Sequence, residues 1–260
     1  MKNYFFCLLS AVLISSPSYA QSPFEGFNAG IITGAINGKF TVGSNTPYLP
    51  TVYSVTDGTY FANQTNASNV SESGSGKFSK TRVPVGFSFG YNKDFGAWGL
   101  AGLQADLSSI GLKESKTNST TYPGFNGLDP KTTIYLRADN LATLRVKYGF
   151  TVDQSSWIYF TGGVAFADVE SKTKFTDGTA TESNNQSEHK TGWIAGIGVE
   201  KMVDKFWSIN AEYHHTAFGN ITGTSRNMAD DHNNTFSNQP FTTTTKLNMN
   251  AFEIGISKHF

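Results

Sequence analysis

Six charged residues fall where alternating strands would turn them toward one shared face: Asp106, Arg145, Lys147, Glu200, Glu212 and Glu253. An isolated ion taken out of water is costly, so charges sharing a narrow interior must pair. The expected chemistry is ionic: Arg145 and Lys147 meet Glu212, Glu253 or Asp106 in a structural plug. A gated ion path is the rival use of the same residues. The histidines are His189, His214, His215, His232 and His259. His214 and His215 are adjacent, so on a strand they point to opposite faces and cannot form a one-sided metal pair. His232 stands beside Asp230 and Asp231 and is the candidate contact for an external metal or haem; its plainer reading is a solvated side chain. Glu212, His214 and Thr216 share a face, as a hydrolytic triad would require, but threonine stands where such lipases use serine. Zinc-helix and phosphate-loop motifs are absent, and no serine nucleophile elbow is expected. The residues point away from an enzyme and imply no cofactor.

Those side chains must be held by something, and composition narrows what. The chain has 260 residues, with 20 Lys plus Arg against 20 Asp plus Glu. A formal charge of zero argues against nucleic acid as a partner. Charged residues are 15%, below the roughly 25% of ordinary soluble domains, while aromatics reach 14%. Mean hydropathy is −0.30. After the N-terminus no apolar run approaches the ~18 residues of a membrane helix. The aromatic content also opposes long-range disorder.

The N-terminus reads as an export signal. Lys2 is followed by the apolar stretch Tyr4 to Ile14, and Ser18 and Ala20 put small residues at the −3 and −1 positions of a cleavage site. Residues 1–20 are expected to be removed, leaving 21–260 as one domain. Cys7, the single cysteine, lies in the removed part, so disulfides and cysteine metal sites are excluded from the mature chain.

The mature region alternates apolar with polar or small residues in eight candidate strands: about 26–40, 81–92, 98–113, 140–152, 156–174, 190–203, 206–219 and 244–260. The clearest places Ala142, Leu144, Val146, Tyr148 and Phe150 on one face and Thr143, Arg145, Lys147 and Gly149 on the other. Tight turns at 92–97, 153–155 and 204–205 alternate with long polar connections at 41–80, 114–139, 175–189 and 220–243. Sorting short and long connections to opposite ends is the layout of an outer-membrane barrel, with short periplasmic turns and long extracellular loops. Lipid offers backbone groups no hydrogen bonds, so such a sheet must close. Its outer face must be apolar over ~25 Å. Here the opposite face carries Gly, Ser, Thr and Asn with few charges, which suits the filled interior of an eight-stranded barrel. Trp98, Trp157, Trp193, Trp207, Tyr91 and Tyr148 fall near strand ends, where an interfacial aromatic girdle is expected.

The expected fold is all-β: an eight-stranded antiparallel transmembrane β-barrel. The last strand places Phe252, Ile254, Ile256 and Phe260 at even spacing, which resembles the C-terminal signal read by the outer-membrane assembly machinery. Lys258 occupies a place where an apolar or aromatic residue is more usual; it can snorkel to the rim.

Several segments resemble the small porin-like outer-membrane β-barrel family of alphaproteobacteria. They are Gly26-Phe27-Asn28-Ala29-Gly30, GFSFGYNKDFGAWGLAGLQADL from Gly86, LATLRVKYGF from Leu141, WIYFTGGVAFADV from Trp157 and GWIAGIGVEKMVDKFWSINAEYHHTAFGN from Gly192. Gln104 stands where that family usually has glutamate, and an aspartate usual near Ala217 is missing. The resemblance implies an integral outer-membrane protein whose relatives include surface antigens and haemin-binding proteins. The expected role is envelope structure and surface interaction, with outer-membrane lipid and host or extracellular ligands as partners. The alternatives are a small-solute porin and a haemin or host-ligand receptor. Tyr48, Tyr53, Tyr60, Phe61, Tyr122 and Phe125 give the long connections aromatic side chains for either self-packing or adhesion.

Overall fold

A computed structural model describes residues 22–46, 64–121, 129–176, 178, 180–230 and 235–260. The expected leader 1–20, His232 and the aromatic loop residues named above lie outside them. The elements are β1 (Gly26–Asn45), α1 (Gln64–Ser73), β2 (Gly76–Arg82), β3 (Val85–Asp94), β4 (Leu100–Ser119), β5 (Lys131–Asp153), β6 (Ser156–Thr176), β7 (Ala180–Met202), β8 (Trp207–Phe218), β9 (Ile221–Asp230) and β10 (Thr235–His259). All pairings are antiparallel, and β1 pairs with β10 from Asn28–His259 to Asn45–Thr242, which closes the sheet into a ring.

Ten strands make eight staves. Both β2 and β3 pair with β1, one above the other, with Ile36 opposite Arg82 and Thr33 opposite Val85. They are one stave broken at Val83-Pro84, because proline has no N–H to give the ladder. In the same way β8 and β9 both lie along β10 and break at Gly219-Asn220. The ring is thus β1, β2/β3, β4, β5, β6, β7, β8/β9 and β10.

The strands are longer than a bilayer requires. β10 has 25 residues, roughly 80 Å at ~3.3 Å per residue, whereas a crossing needs ~9–11 residues. Strands therefore extend into every segment expected as a long loop. In 175–189, β6 runs to Thr176 and β7 begins at Ala180; in 114–139, β4 runs to Ser119 and β5 begins at Lys131. Helix α1, not anticipated, sits within 41–80 and bonds to strand ends at the loop side: Ser73 Oγ lies 2.7 Å from Thr132 Oγ1, and Asn69 Nδ2 donates to Thr121 O at 2.9 Å.

The physical reason is an inversion of polarity along each stave. On β6 the outward residues are Ile158, Phe160, Val164 and Phe166, then Asp168, Glu170, Lys172 and Lys174; the inward ones are Trp157, Tyr159 and Thr161, then Ala165, Ala167 and Val169. On β10 the outward face changes between Asn250 and Phe252, and the inward face between Ala251 and Glu253. The lower half is apolar outside and polar inside, as lipid demands. The upper half is polar outside and encloses a dry cluster that includes Ile36, Phe40, Leu112, Ile134, Leu136, Leu247 and Met249. A water-exposed dome with its own core therefore stands on the membrane barrel. At the junction the sheet bends: register shifts fall between Ser109 and Leu112 and between Ala138 and Leu141. Gly111 has φ +56 there, a left-handed conformation that costs glycine little.

Candidate functional site

The inward charges of the membrane half come together in two groups. Arg145 on β5 is 2% exposed. Its Nη2 lies 2.7 Å and its Nε 3.0 Å from Asp106 Oδ2 on β4, and its Nη1 meets Glu212 Oε1 on β8. Asp106 also accepts from Thr143 Oγ1 at 2.5 Å and Gln104 Nε2 at 2.7 Å. Glu212 accepts from Tyr159 Oη at 3.2 Å. His214 Nδ1 lies 3.3 Å from Glu212, and its Nε2 is 3.9 Å from Glu253. With this many donors the buried ions keep the partners that water would have supplied.

The second group lies nearer the turn end. Lys147 Nζ lies 3.3 Å from Glu200 Oε2, which also accepts from Trp157 Nε1 at 3.1 Å. Ser208 Oγ donates to Glu200 Oε1 at 2.6 Å, and His259 Nε2 is 3.0 Å from the same oxygen. The Lys147 ammonium stands 4.0 Å from the Tyr159 ring centroid and 5.0 Å from that of Trp157, a cation–π placement. Glycine makes the space: a Cβ on Gly198 would fall 2.5 Å from the Tyr159 ring. Below, Phe24 is fully buried, with ring centroids 5.9 Å from Trp157 and 6.1 Å from His259.

All six charged residues singled out from the sequence thus face the lumen. Arg145 takes Asp106 and Glu212, whereas Lys147 takes Glu200, which was not among its expected partners. Glu253 contacts neither cation and faces His214. Sequence reading missed His214, His259, Tyr159, Ser208 and Thr143 as members, although each shares the inward parity of its strand. Trp157 was misplaced: it is fully buried in the lumen and not part of the aromatic girdle. The girdle at the turn end includes exposed Tyr91, Phe95, Trp98, Trp207, Tyr148, Phe150, Phe206 and Phe260.

Glu212, His214 and Thr216 do not form the nucleophile-to-base chain of a triad. Thr216 Oγ1 has no hydrogen-bond partner, so it is not joined to His214 as nucleophile to base. The letters Gly-x-Ser-x-Gly do occur, at Gly86-Phe87-Ser88-Phe89-Gly90, contrary to the expectation of no such pattern. They lie in the middle of β3 with Ser88 buried, not on the strand-to-helix turn that exposes a nucleophile. Among the described residues no group of three or more His, Cys, Asp or Glu is placed to hold a metal. Phe252, Ile254, Ile256 and Phe260 all point outward along β10, and Lys258 Nζ lies over the Phe260 ring at 5.2 Å.

The chain is similar to known outer-membrane proteins. The 31 kDa outer-membrane immunogenic proteins of Brucella melitensis and Brucella suis are each 24% identical over 175 residues, covering 67% of this chain and 65% of theirs. Among solved structures, OprG of Pseudomonas aeruginosa aligns over 91% of this chain and 97% of its own, with 11% identity and a TM-score of 0.41. The Ail protein of Yersinia pestis aligns over 88% and 99%, with 14% identity and a TM-score of 0.28. Residues 6–260 match the family described as outer membrane protein beta-barrel domain, and the chain belongs to that family.

Proposed function

We propose that this protein is a sealed outer-membrane barrel that serves envelope structure and presents a raised extracellular surface, without passing solutes or catalysing a reaction. The inversion of polarity along the staves carries this reading. A permeation path would have to cross the Arg145 and Lys147 ion layers and then the dry cluster above them. Water and ions gain nothing in a core packed with Ile, Leu and Phe side chains. The dome lifts the loop ends well clear of the lipid, where a surface antigen is met. The relation to immunogenic outer-membrane proteins of Brucella supports such exposure.

Export by a leader removed after Ala20, and hand-over to the assembly machinery through Phe252, Ile254, Ile256 and Phe260, complete the proposal. The outward, evenly spaced exposure of those four side chains supports the second step. Planar-bilayer recording of refolded protein tests the whole: only rare, unsteady current is expected. Steady ohmic conductance would overturn the sealed barrel in favour of a small-solute porin.

A further inference from the structure

The outward charges of the dome are unevenly shared. On β5 and β6 they are matched: Arg137 meets Asp139, and Lys172 lies 2.6 Å from Glu170. On β2, β1 and β10, which pair side by side in that order, they are not. Lys39 stands between buried Gly38 and Phe40, Lys246 between buried Thr245 and Leu247, and Lys77 beside buried Phe78. Strand parity therefore turns all three lysines outward, and all three are exposed. The register sets them together. Lys77 and Lys246 are the two cross-strand partners of Thr41, one on each side, and Lys39 lies opposite Ser79 and Asn248. Among the described residues none of the three is in an ion pair. Glu114, on β4, is taken by Lys80 at 2.8 Å.

Around the lysines the same face offers hydroxyls and amides: Asn37, Thr41, Ser79, Thr81, Thr244 and Asn248. Among its described outward residues above the apolar belt there is no carboxylate and no aromatic ring. Asn37 Nδ2 donates to Ser79 Oγ at 3.1 Å and to Thr81 Oγ1 at 2.9 Å, which ties β1 to β2 across the floor. Two strand spacings, about 10 Å, separate Lys77 from Lys246. The belt ends where Phe252 lies opposite Ala35. Lys39 is thus ~13 Å further along the strand and the Thr41 row ~20 Å, beyond a headgroup layer of roughly 5–7 Å. Cations without counter-ions create a positive potential that draws in polyanions. A nucleic acid strand would want rings on which to stack its bases, and a protein partner an aromatic or arginine anchor. Lysines set among hydroxyls and amides are complementary to a charged sugar chain.

We infer that this face of the dome binds an extracellular anionic polysaccharide, its charged groups on Lys39, Lys77 and Lys246 and its hydroxyls on Thr41, Ser79 and Asn248. The inference rests on the reading of the dome as a surface raised outside the cell. The test holds the full barrel in phosphatidylcholine nanodiscs and measures binding of dextran sulfate, with uncharged dextran as the control sugar. Wild type should bind dextran sulfate and not dextran. K39Q/K77Q/K246Q should bind about tenfold or more weakly, and its affinity should depend less steeply on salt, by about 2–3 in the log–log slope. K131Q/K172Q/K174Q, which removes the same charge from β5 and β6, should match wild type. Heat-shifted gel migration certifies that each variant is folded, and Lys77→Gln alone gives a several-fold loss if the triple variant does not assemble. Equal binding by wild type and the folded K39Q/K77Q/K246Q, equal binding of dextran, or an equally tight hold on single-stranded DNA would each overturn the site. Loss of binding once lipopolysaccharide is in the nanodisc would assign the lysines to a membrane glycolipid instead. Nanodiscs present both ends of the barrel, so these outcomes judge the face alone. A Cys7→Ser/Ser79→Cys variant that an impermeant maleimide fails to label on intact cells would overturn the placement of the dome outside.

Discussion

Arg145 on β5 reaches across the lumen to Glu212 on β8, three staves away around the wall, while its other nitrogens hold Asp106 on the adjacent strand. One guanidinium thereby ties three strands. Arg145→Ala would leave two buried carboxylates without their counter-ion, at a cost of about 3–5 kcal/mol. The urea midpoint of unfolding from vesicles should fall accordingly. The dry cluster above is untouched by this change, so bilayer conductance should not rise. An unchanged midpoint would remove the network from the account of stability.

Phe24 closes the turn end against Trp157 and His259. Phe24→Ala should cost about 3 kcal/mol. It should also make Trp157 fluorescence quenchable by acrylamide, which no outward-face substitution would do. Unaltered quenching would mean that Phe24 is not the seal.

Cys7 is the single cysteine of the sequence, so single cysteines can be placed along β6 in a Cys7→Ser background. Spin labels at 158, 160, 164 and 166 should report lipid; labels at 168, 170, 172 and 174 should report water. A boundary anywhere but between Phe166 and Asp168 contradicts the division into membrane barrel and dome. A charge in the belt makes the same point energetically: Phe160→Lys should cost about 2–4 kcal/mol of folding in bilayers, whereas Lys172→Ala should cost less than about 0.5 kcal/mol.

Glu182, in the dome, is 2% exposed, and neither of its carboxylate oxygens has a hydrogen-bond partner. Burial raises its pKa to about 7. Its inward neighbours Thr173, Asn184 and Thr243 are neutral. The folded state holds a proton that the unfolded chain has lost, so the stability present below pH ~4.5 declines as pH rises toward 7, at no more than ~1.4 kcal/mol per unit, and then levels off. Protection factors for amide exchange in the β6–β7 hairpin, taken relative to the intrinsic rate at each pH, should be larger at pH 5 than at pH 8, and Glu182→Gln should abolish the difference. Equal protection at the two pH values in wild type would show that burial does not hold this proton.

The closed ring was legible because each stave keeps a strict period of two over the membrane. Leu103, Ala105 and Leu107 against Gln104 and Asp106 leave one choice of face. The dome was not legible for the same reason in reverse. Past Phe166 the outward residues become Asp168, Glu170 and Lys172 while the inward ones include Ser171 and Thr173, so the pattern resembles solvated loop. Parity places His214, His259 and Tyr159 on the lumen face, but it does not say which carboxylate each one meets. Which cation meets which carboxylate depends on barrel radius and stagger, and the Lys147–Glu200 pair is visible only once the strands are curved around each other.

Among the described residues, pleated strand faces form the wall that the dome turns to the outside. Thr117 and Thr133 sit side by side across β4 and β5, and Thr222 and Thr244 across β9 and β10. Each such patch joins residues distant in the chain. Antibodies elicited by the native protein on cells should therefore read conformational epitopes and fall silent on a denaturing blot. Linear peptides of this chain would not reproduce these cross-strand patches.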